Sequence, residues 1–164
     1  MNKIDLKHLA SYEGDFALWA TEQAALLRAG KIDHLDLVHL AEEIEDLASR
    51  VRSEIRNRLK ILTLHLLKFE FQSAKRSPSW ISTIKVQRLE MEDVLDENPS
   101  LKSYPQDILA RVYKSARLSA AGQTKLPEET FPERCPYSIR QVLDPDFWPG
   151  GSSIPSPRKS TRKG

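Results

Sequence analysis

The chain has 164 residues, a formal net charge of +2 and one cysteine. This length is typical of a single domain with a real hydrophobic core. No run approaches the 18 apolar residues of a membrane-spanning helix, and residues 1–10 lack a signal-peptide pattern, so we expect a cytoplasmic protein without a membrane partner. The C-terminal tail supplies four positive charges, and subtracting these from +2 leaves −2 for residues 1–157. The body of the chain therefore lacks the basic character of a nucleic-acid-binding domain.

The first predicted helix begins at Asp15, because aspartate is a preferred N-terminal cap, and ends at Gly30. The side chains that this helix carries on related turns recur at helical spacing. They are Phe16, Trp19, Ala20, Gln23 and Leu27.

One unbroken helical pattern then runs from about Ile32 to Gln72, with Asp33 as its predicted cap. Apolar residues recur at spacings of three and four, which keeps them on one side of the helix. This apolar stripe consists of Leu37, Ala41, Ile44, Ala48, Val51, Ile55, Leu59, Leu62, Leu66 and Phe69. From Leu59 onward the opposite side is apolar as well. We therefore expect other helices to enclose the second half, while the first half projects as the arm of a helical hairpin.

The remaining segments predict further helices and an irregular end. A third helix begins at Ser77–Pro78 and stops near Asn98, and a fourth runs from about Pro105 to Gly122. Four prolines and four aromatic residues between Pro127 and Trp148 predict an irregular segment that wraps around the bundle, with one short helix at 138–143.

No strand pattern of useful length appears in the sequence, so the predicted fold class is all-α. The prediction is a helical bundle built on a long central helical hairpin, with an irregular Pro/aromatic C-terminal wrap. Residues 1–149 are expected to form a single domain. Residues 150–164, which are rich in Gly, Ser, Pro and basic residues, are expected to be a disordered tail.

Arg88 lies on an apolar face of the third predicted helix, where an unpaired guanidinium is costly to bury. We hypothesise that Arg88 and Gln87 pair with Glu43 or Glu45, with His65 near enough to join. Glu43 and His65 are 22 residues apart, about 33 Å along a straight helix, so one shared site requires a bend or a second molecule. A structural ion pair is the competing interpretation. The candidate functional or buried-polar cluster is Glu43, Glu45, His65, Trp80, Gln87 and Arg88.

The sequence contains no recognisable pattern of catalytic residues, of a metal site or of a cofactor site. His39 and Glu43 have an i,i+4 spacing that suits two metal ligands, but this spacing is common and the Glu-x-x-His pattern of di-iron bundles is absent. Cys135 has a basic neighbour but no histidine near it in sequence, so a small buried side chain is the simpler interpretation. We expect no enzyme, without excluding one.

The residue pattern resembles the bacterial domain of unknown function 29 family over residues 12–149. Two matching blocks are Tyr12, Asp15, Phe16, Trp19, Gln23, Arg28, Gly30 and Leu40, Glu42, Glu43, Ile44, Glu45, Asp46, Leu47. Further matches are His65, Leu66, Leu67, Lys68, then Arg76, Ser77, Trp80, Gln87, Arg88, and finally Phe131, Pro132, Cys135, Pro136, Asp144, Phe147, Trp148. Ala48 stands where glycine is expected, and Phe69 where tryptophan is usual. The resemblance implies an all-α fold and implies no activity.

Three function classes remain open. The preferred one is a small soluble interaction or regulatory module, whose partner is an unknown protein or a second copy of the chain. The long helix supports it, because its acidic residues precede its arginines and two copies could pair antiparallel. A nucleic-acid-binding accessory protein is the first alternative, through the basic stretch Arg50–Lys60 and the tail. An enzyme using a Glu/His/Arg cluster is the second.

Overall fold

The computed structural model describes residue 6 and residues 8–151 as an all-α fold. Short 3-10 turns connect the helices, and no strand occurs in this described part. Contacts divide the chain into two compact units, residues 1–50 and residues 51–164, with the boundary inside the longest helix. The helices are α1 Phe16–Arg28, α2 Leu37–Phe71, α3 Pro78–Glu97, α4 Tyr104–Thr124 and α5 Ile139–Leu143.

Helix α1 begins and ends where the sequence predicts. The Asp15 side chain accepts a hydrogen bond from the backbone N–H of Leu18 at 3.0 Å, which satisfies one of the free donors of the first turn. After the helix, Gly30 has φ +66°, a left-handed conformation that glycine adopts without a steric penalty. The predicted start and stop signals are both confirmed.

Helix α2 begins five residues later than predicted. Ile32–His34 form a separate 3-10 turn, and Leu35 is extended with ψ 140°. The cap is Asp36 rather than Asp33, because the Asp36 carboxylate accepts the backbone N–H of His39. The prediction of an unbroken helix from Ile32 is therefore wrong at this end, whereas the other end, Phe71, agrees with it.

The later helices follow their sequence signals. Ser77 caps α3 by accepting the N–H of Trp80, with Pro78 at the first helical position. Helix α4 runs past Gly122 to Thr124 and is followed by Lys125 in the left-handed conformation. Ser138 and Gln141 form a reciprocal capping box that starts α5.

The second unit contains a continuous hydrophobic core. Every helix of the unit contributes to it, and so do side chains from the irregular segment that follows α4. The predicted helical bundle with a Pro/aromatic C-terminal wrap is confirmed. The fully buried large side chains are Tyr113, Phe131, Ile55, Leu59, Leu62, Leu66, Leu67, Ile84, Met91 and Val142.

The apolar stripe of α2 has two different environments. From Ile55 to Phe69 its members are buried, as expected for a helix with apolar residues on several sides. From Leu37 to Ala48 they are exposed. The single-domain prediction stays a prediction, and residues 152–164 of the predicted tail lie outside the described residues.

Leucine-to-alanine substitutions test which side chains of the second unit belong to its core. We expect Leu66→Ala, at a fully buried position, to lower the free energy of unfolding by about 2–5 kcal/mol, because it removes apolar contacts and leaves a cavity. Leu89→Ala is the matched control on α3, where the side chain is 60% exposed, and it should cost less than about 1 kcal/mol. Urea unfolding followed by circular dichroism measures both values. Equal losses would contradict the assigned core.

Candidate functional site

Asp36 organises a polar cluster in the first unit. Its carboxylate caps α2, accepts a hydrogen bond from the indole nitrogen of Trp19 at 3.2 Å, and lies 2.6 Å from Nδ1 of His39. Its backbone N–H donates to the side-chain oxygen of Gln23 at 2.8 Å. Because Trp19 and Gln23 are buried on the same face of α1, this one residue fixes α1 against the start of α2. We call Tyr12, Trp19, Gln23, Asp36, His39 and Glu43 the N-terminal cluster.

Aromatic rings complete the N-terminal cluster. The Tyr12 ring stacks on His39 with a centroid distance of 4.2 Å and an interplanar angle of 9°. It also meets the edge of Trp19 at 4.9 Å, and its hydroxyl donates to Glu43 at 2.6 Å. That hydrogen bond to a carboxylate, followed by burial and the charge of Glu43, raises the pKa of Tyr12 to about 12. Tyr12 therefore remains a neutral donor at physiological pH.

The electrostatics of the N-terminal cluster favour a charged Asp36–His39 pair. The hydrogen bond to Asp36 raises the pKa of His39, and the same hydrogen bond lowers the pKa of Asp36. The other ring nitrogen of His39 lies 3.8 Å from Glu13. These carboxylates favour the protonated imidazole, a form that cannot act as a general base, and no nucleophilic side chain belongs to the cluster. The arrangement orders the chain more than it prepares a reaction.

His39 and Glu43, the two hypothetical metal ligands, each contact another side chain. His39 is held by Asp36, and Glu43 accepts from Tyr12. Among the described residues, no group of three or more His, Cys, Asp or Glu side chains is arranged to hold a metal ion.

Arg88 anchors the C-terminal segment of the second unit. Only 5% of this residue is exposed, and all of its hydrogen bonds go to backbone carbonyls. Nε donates to Val142 and Nη2 to Phe147, each at 2.9 Å, with longer bonds to Gln141 and Pro145 at 3.4 Å. The guanidinium also lies 5.4 Å from the centre of the Trp148 ring.

These acceptors correct the hypothesis that Arg88 pairs with Glu43 or Glu45. The last turn of α5 and the backbone that follows it leave carbonyls without helical donors, and the planar guanidinium has five N–H groups to satisfy them. Burial lowers the pKa of Arg88 to about 10, although the charges of Asp144 and Asp146 oppose the shift. Arg88 therefore stays positively charged at neutral pH without a directly bonded carboxylate.

The other predicted cluster members lie in separate environments. Glu45 is exposed on α2, whereas Glu43 belongs to the N-terminal cluster. The ring of Trp80 lies 4.4 Å from the ammonium of Lys68. Gln87 has a buried side-chain oxygen without a hydrogen-bond partner. A functional role for the six residues stays a prediction.

His65 and Lys68 lie one turn apart on α2. His65 is half-buried, and its Nδ1 lies 2.8 Å from the carbonyl of Ile61. Burial, with a smaller contribution from the charge of Lys68, lowers the pKa of His65. Lys68 is itself buried and donates to the side chain of Gln123 at 3.0 Å, in the last turn of α4, where the helix dipole favours a cation. A structural role accounts for both side chains.

Two cations of the basic stretch of α2 make intramolecular contacts. Arg58 forms ion pairs with Glu54, at 2.7 Å, and with Glu90 on α3. Arg56 donates to Ser53 at 2.6 Å. These contacts reduce the number of cations available to phosphates and weaken the nucleic-acid alternative.

Cys135 occupies a position consistent with a small buried side chain. It is half-buried, and its thiol lies 3.4 Å from the carbonyl of Tyr137. Burial raises the pKa of the thiol, which disfavours the reactive thiolate.

The central role of Asp36 is not among the sequence predictions. The usable signal was local: an aspartate immediately before the apolar position Leu37 is a good cap, and it competes with Asp33. The contacts of Tyr12 and Trp19 with the start of α2 join residues 17 to 31 positions apart, and no local pattern encodes that pairing.

A family model described as "Domain of unknown function DUF29" matches residues 11–148. No curated protein and no solved structure gives a significant match to the chain. No helix in the described part of the chain is long and apolar enough to cross a membrane.

Removal of the Arg88 side-chain donors should release the C-terminal segment. We expect Arg88→Met to lower the free energy of unfolding by about 3 kcal/mol or more, because buried carbonyls lose their donors. Amide hydrogen exchange should rise over residues 139–149. Arg111→Met, at an exposed position on α4, is the control and should change stability by less than about 0.5 kcal/mol. Unchanged exchange over residues 139–149 in Arg88→Met would refute the anchor.

The Asp36–His39 pair predicts a pH dependence of the first unit. A raised pKa of His39 means that its stabilisation is complete below the ordinary value of 6.5 and is lost as pH rises through the folded-state value. A lowered pKa of Asp36 means that its stabilisation is complete above 3.8 and is lost as pH falls through the folded-state value. The pair therefore stabilises this unit most between pH 3.8 and 6.5.

An NMR titration of the His39 ring measures this coupling. We expect the pKa of His39 to lie above 6.5 in the wild-type protein and to fall in Asp36→Asn. The spectrum of His39→Gln identifies the signal. Asp33→Asn changes an exposed carboxylate in the preceding turn and should leave the titration unaltered. The same pKa in Asp36→Asn and the wild type would refute the pairing.

Proposed function

The chain belongs to the DUF29 family, and we propose that it is a small protein–protein interaction or regulatory module that acts in the cytoplasm. The docking face, in this proposal, lies on the first part of α2. It consists of the exposed apolar side chains Leu37, Ala41, Ile44, Leu47 and Ala48.

The distribution of apolar side chains is the observation that supports this proposal. Among the described residues of the first unit, two hydrophobic side chains are fully buried, Trp19 and Leu26. Eight of the twelve large hydrophobic residues that are exposed within residues 6 and 8–151 belong to this unit, which is under a third of the chain, and three of them, Leu37, Ile44 and Leu47, lie on the docking face. Scattered exposed leucines are normal, but such concentration on one small unit is typical of a surface that a partner covers.

Helical geometry places the docking face on one side of α2. At about 100° per residue, its five side chains fall within roughly 120° of the helix circumference. The exposed fraction is 61% for Leu37 and 66% for Ile44. An amphipathic helix with this stripe uncovered is the form in which helices dock into grooves or pair with other helices.

The N-terminal cluster supports the same proposal, because it orders the docking face without covering it. Asp36, His39 and Glu43 project from α2 outside the apolar stripe and hold α1 and the Tyr12 segment. Polar and aromatic contacts thus replace part of the core that a unit of this size lacks. A presented face that is already ordered binds with a smaller entropic cost.

A pair of leucines tests the docking face. Leu47 on α2 and Leu118 on α4 are both 58% exposed, so Leu47→Asp and Leu118→Asp introduce the same change at positions of equal exposure. Native mass spectrometry of protein purified from its own host reports bound chains, small ligands and metals together. We expect a bound chain with the wild type and with Leu118→Asp, and at least a tenfold lower bound fraction with Leu47→Asp.

The remaining outcomes contradict the proposal. Equal loss in both variants, or none in either, would show that the docking face is not the interface. A bound metal or small molecule without a protein chain would favour the enzyme alternative. Bound nucleic acid would favour the nucleic-acid-binding alternative.

A further inference from the structure

We infer that the partner of the docking face is a second copy of this chain, packed antiparallel on α2 with the two helices crossing near Ala48. This inference rests on the proposed function and names the occupant. It follows from the order of charges along α2 and from the side chains at the C-terminal end of the docking face.

The charges of α2 are arranged in two blocks. Glu42, Glu43, Glu45 and Asp46 form an acidic block, and it is followed by a basic block that begins at Arg50 and Arg52. Parallel packing of two copies would place each block against its like. Antiparallel packing about a point between the blocks places each acidic block against the basic block of the other copy. Charge complementarity therefore favours a second copy in the antiparallel orientation.

Glu45 and Arg52 carry this complementarity at the edge of the docking face. They are seven residues apart, so they lie about 20° from each other on the same side of the helix. Both are exposed, and neither forms an ion pair within the described part of the chain. With the crossing near Ala48, Glu45 precedes the crossing by three residues and Arg52 follows it by four. Glu45 of each copy then lies opposite Arg52 of the other, twice by symmetry.

The apolar side chains fit the same crossing. Ala48 is the last residue of the docking face, and its methyl group lets two helix backbones approach closely. Ile44 and Leu47, which precede it, are 66% and 58% exposed. Around the symmetry axis, Leu47 of one copy packs beside Leu47 of the other, and Ile44 faces Val51. Pairing thus covers Ile44, Leu47 and Ala48 of each copy.

Sedimentation velocity over a wide concentration range tests the assembly. We expect wild-type protein to form a dimer. Glu45→Arg and Arg52→Glu each replace two attractive pairs by two repulsive ones and should raise the dimer Kd about tenfold or more. The double variant Glu45→Arg/Arg52→Glu restores opposite charges and should return to within about threefold of the wild-type Kd. Failure of the double variant to recover would refute the assigned pairing.

Disulfide cross-linking tests the position of the crossing. Helix axes 8–10 Å apart, with Cα atoms about 2.3 Å from each axis, leave facing Cα atoms about 3.4–5.4 Å apart, within reach of a disulfide. In a Cys135→Ser background, Ala48→Cys should therefore cross-link under mild oxidation. Asp46→Cys, which lies on the opposite side of the same exposed helix turn, should not. Cross-linking at position 46 but not at 48 would overturn the arrangement.

These experiments separate this inference from the proposed function. A wild-type protein that is monomeric at every concentration overturns the second copy. If Leu47→Asp then still abolishes binding of another chain, the docking face remains supported and its partner is a different protein. If Leu47→Asp changes neither dimerisation nor binding, both proposals fail.

Discussion

The change of environment along α2 is the constraint on which the rest of the structure depends. One helix carries an apolar stripe over its whole length, but only the part from Ile55 onward is buried. The buried segment, which has apolar residues on several sides, packs in one hydrophobic core with side chains of α3, α4 and the C-terminal segment. The earlier part keeps the same stripe and has no such cover. The same sequence pattern thus builds the core in one segment and forms an exposed apolar face in the segment before it.

The two units are stabilised by different kinds of contact. The second unit has a large apolar core, to which the irregular C-terminal segment contributes Phe131, Tyr137 and Val142. In the first unit, hydrogen bonds and ring contacts take the place of part of the buried apolar area. The carboxylate of Asp36 alone bonds to an indole, an imidazole and a helix N-terminus. Such a network specifies one arrangement of α1 and α2, but it depends on the charge of its members, whereas apolar packing does not.

Local signals in the sequence predict the helices well. Asp15, Ser77 and Ser138 are caps whose backbone acceptance can be inferred from residue type and position. The start of α2 was misplaced because Asp33 and Asp36 are both suitable caps, and only the contacts of Asp36 with α1 decide between them. The distant pairings, such as Tyr12 with Glu43, depend on how segments meet in space. Periodicity carries no information about that choice.

Arg88 illustrates the same limit at the level of chemistry. The helical wheel correctly places its side chain on a buried face, and a buried guanidinium needs partners. From the sequence, carboxylates are the expected partners of Arg88, because oppositely charged side chains can be recognised in a sequence. The actual acceptors are backbone carbonyls of a segment that forms few helical hydrogen bonds of its own. The C-terminal segment and the buried cation thus satisfy each other. Gln141 and Val142 lie in the last turn of α5, where carbonyls have no helical donor, and Pro145 and Phe147 follow that helix. A residue that would suggest a catalytic site by its type is explained by the fold that surrounds it, and the exposed face of α2 is left as the feature that intramolecular contacts do not explain.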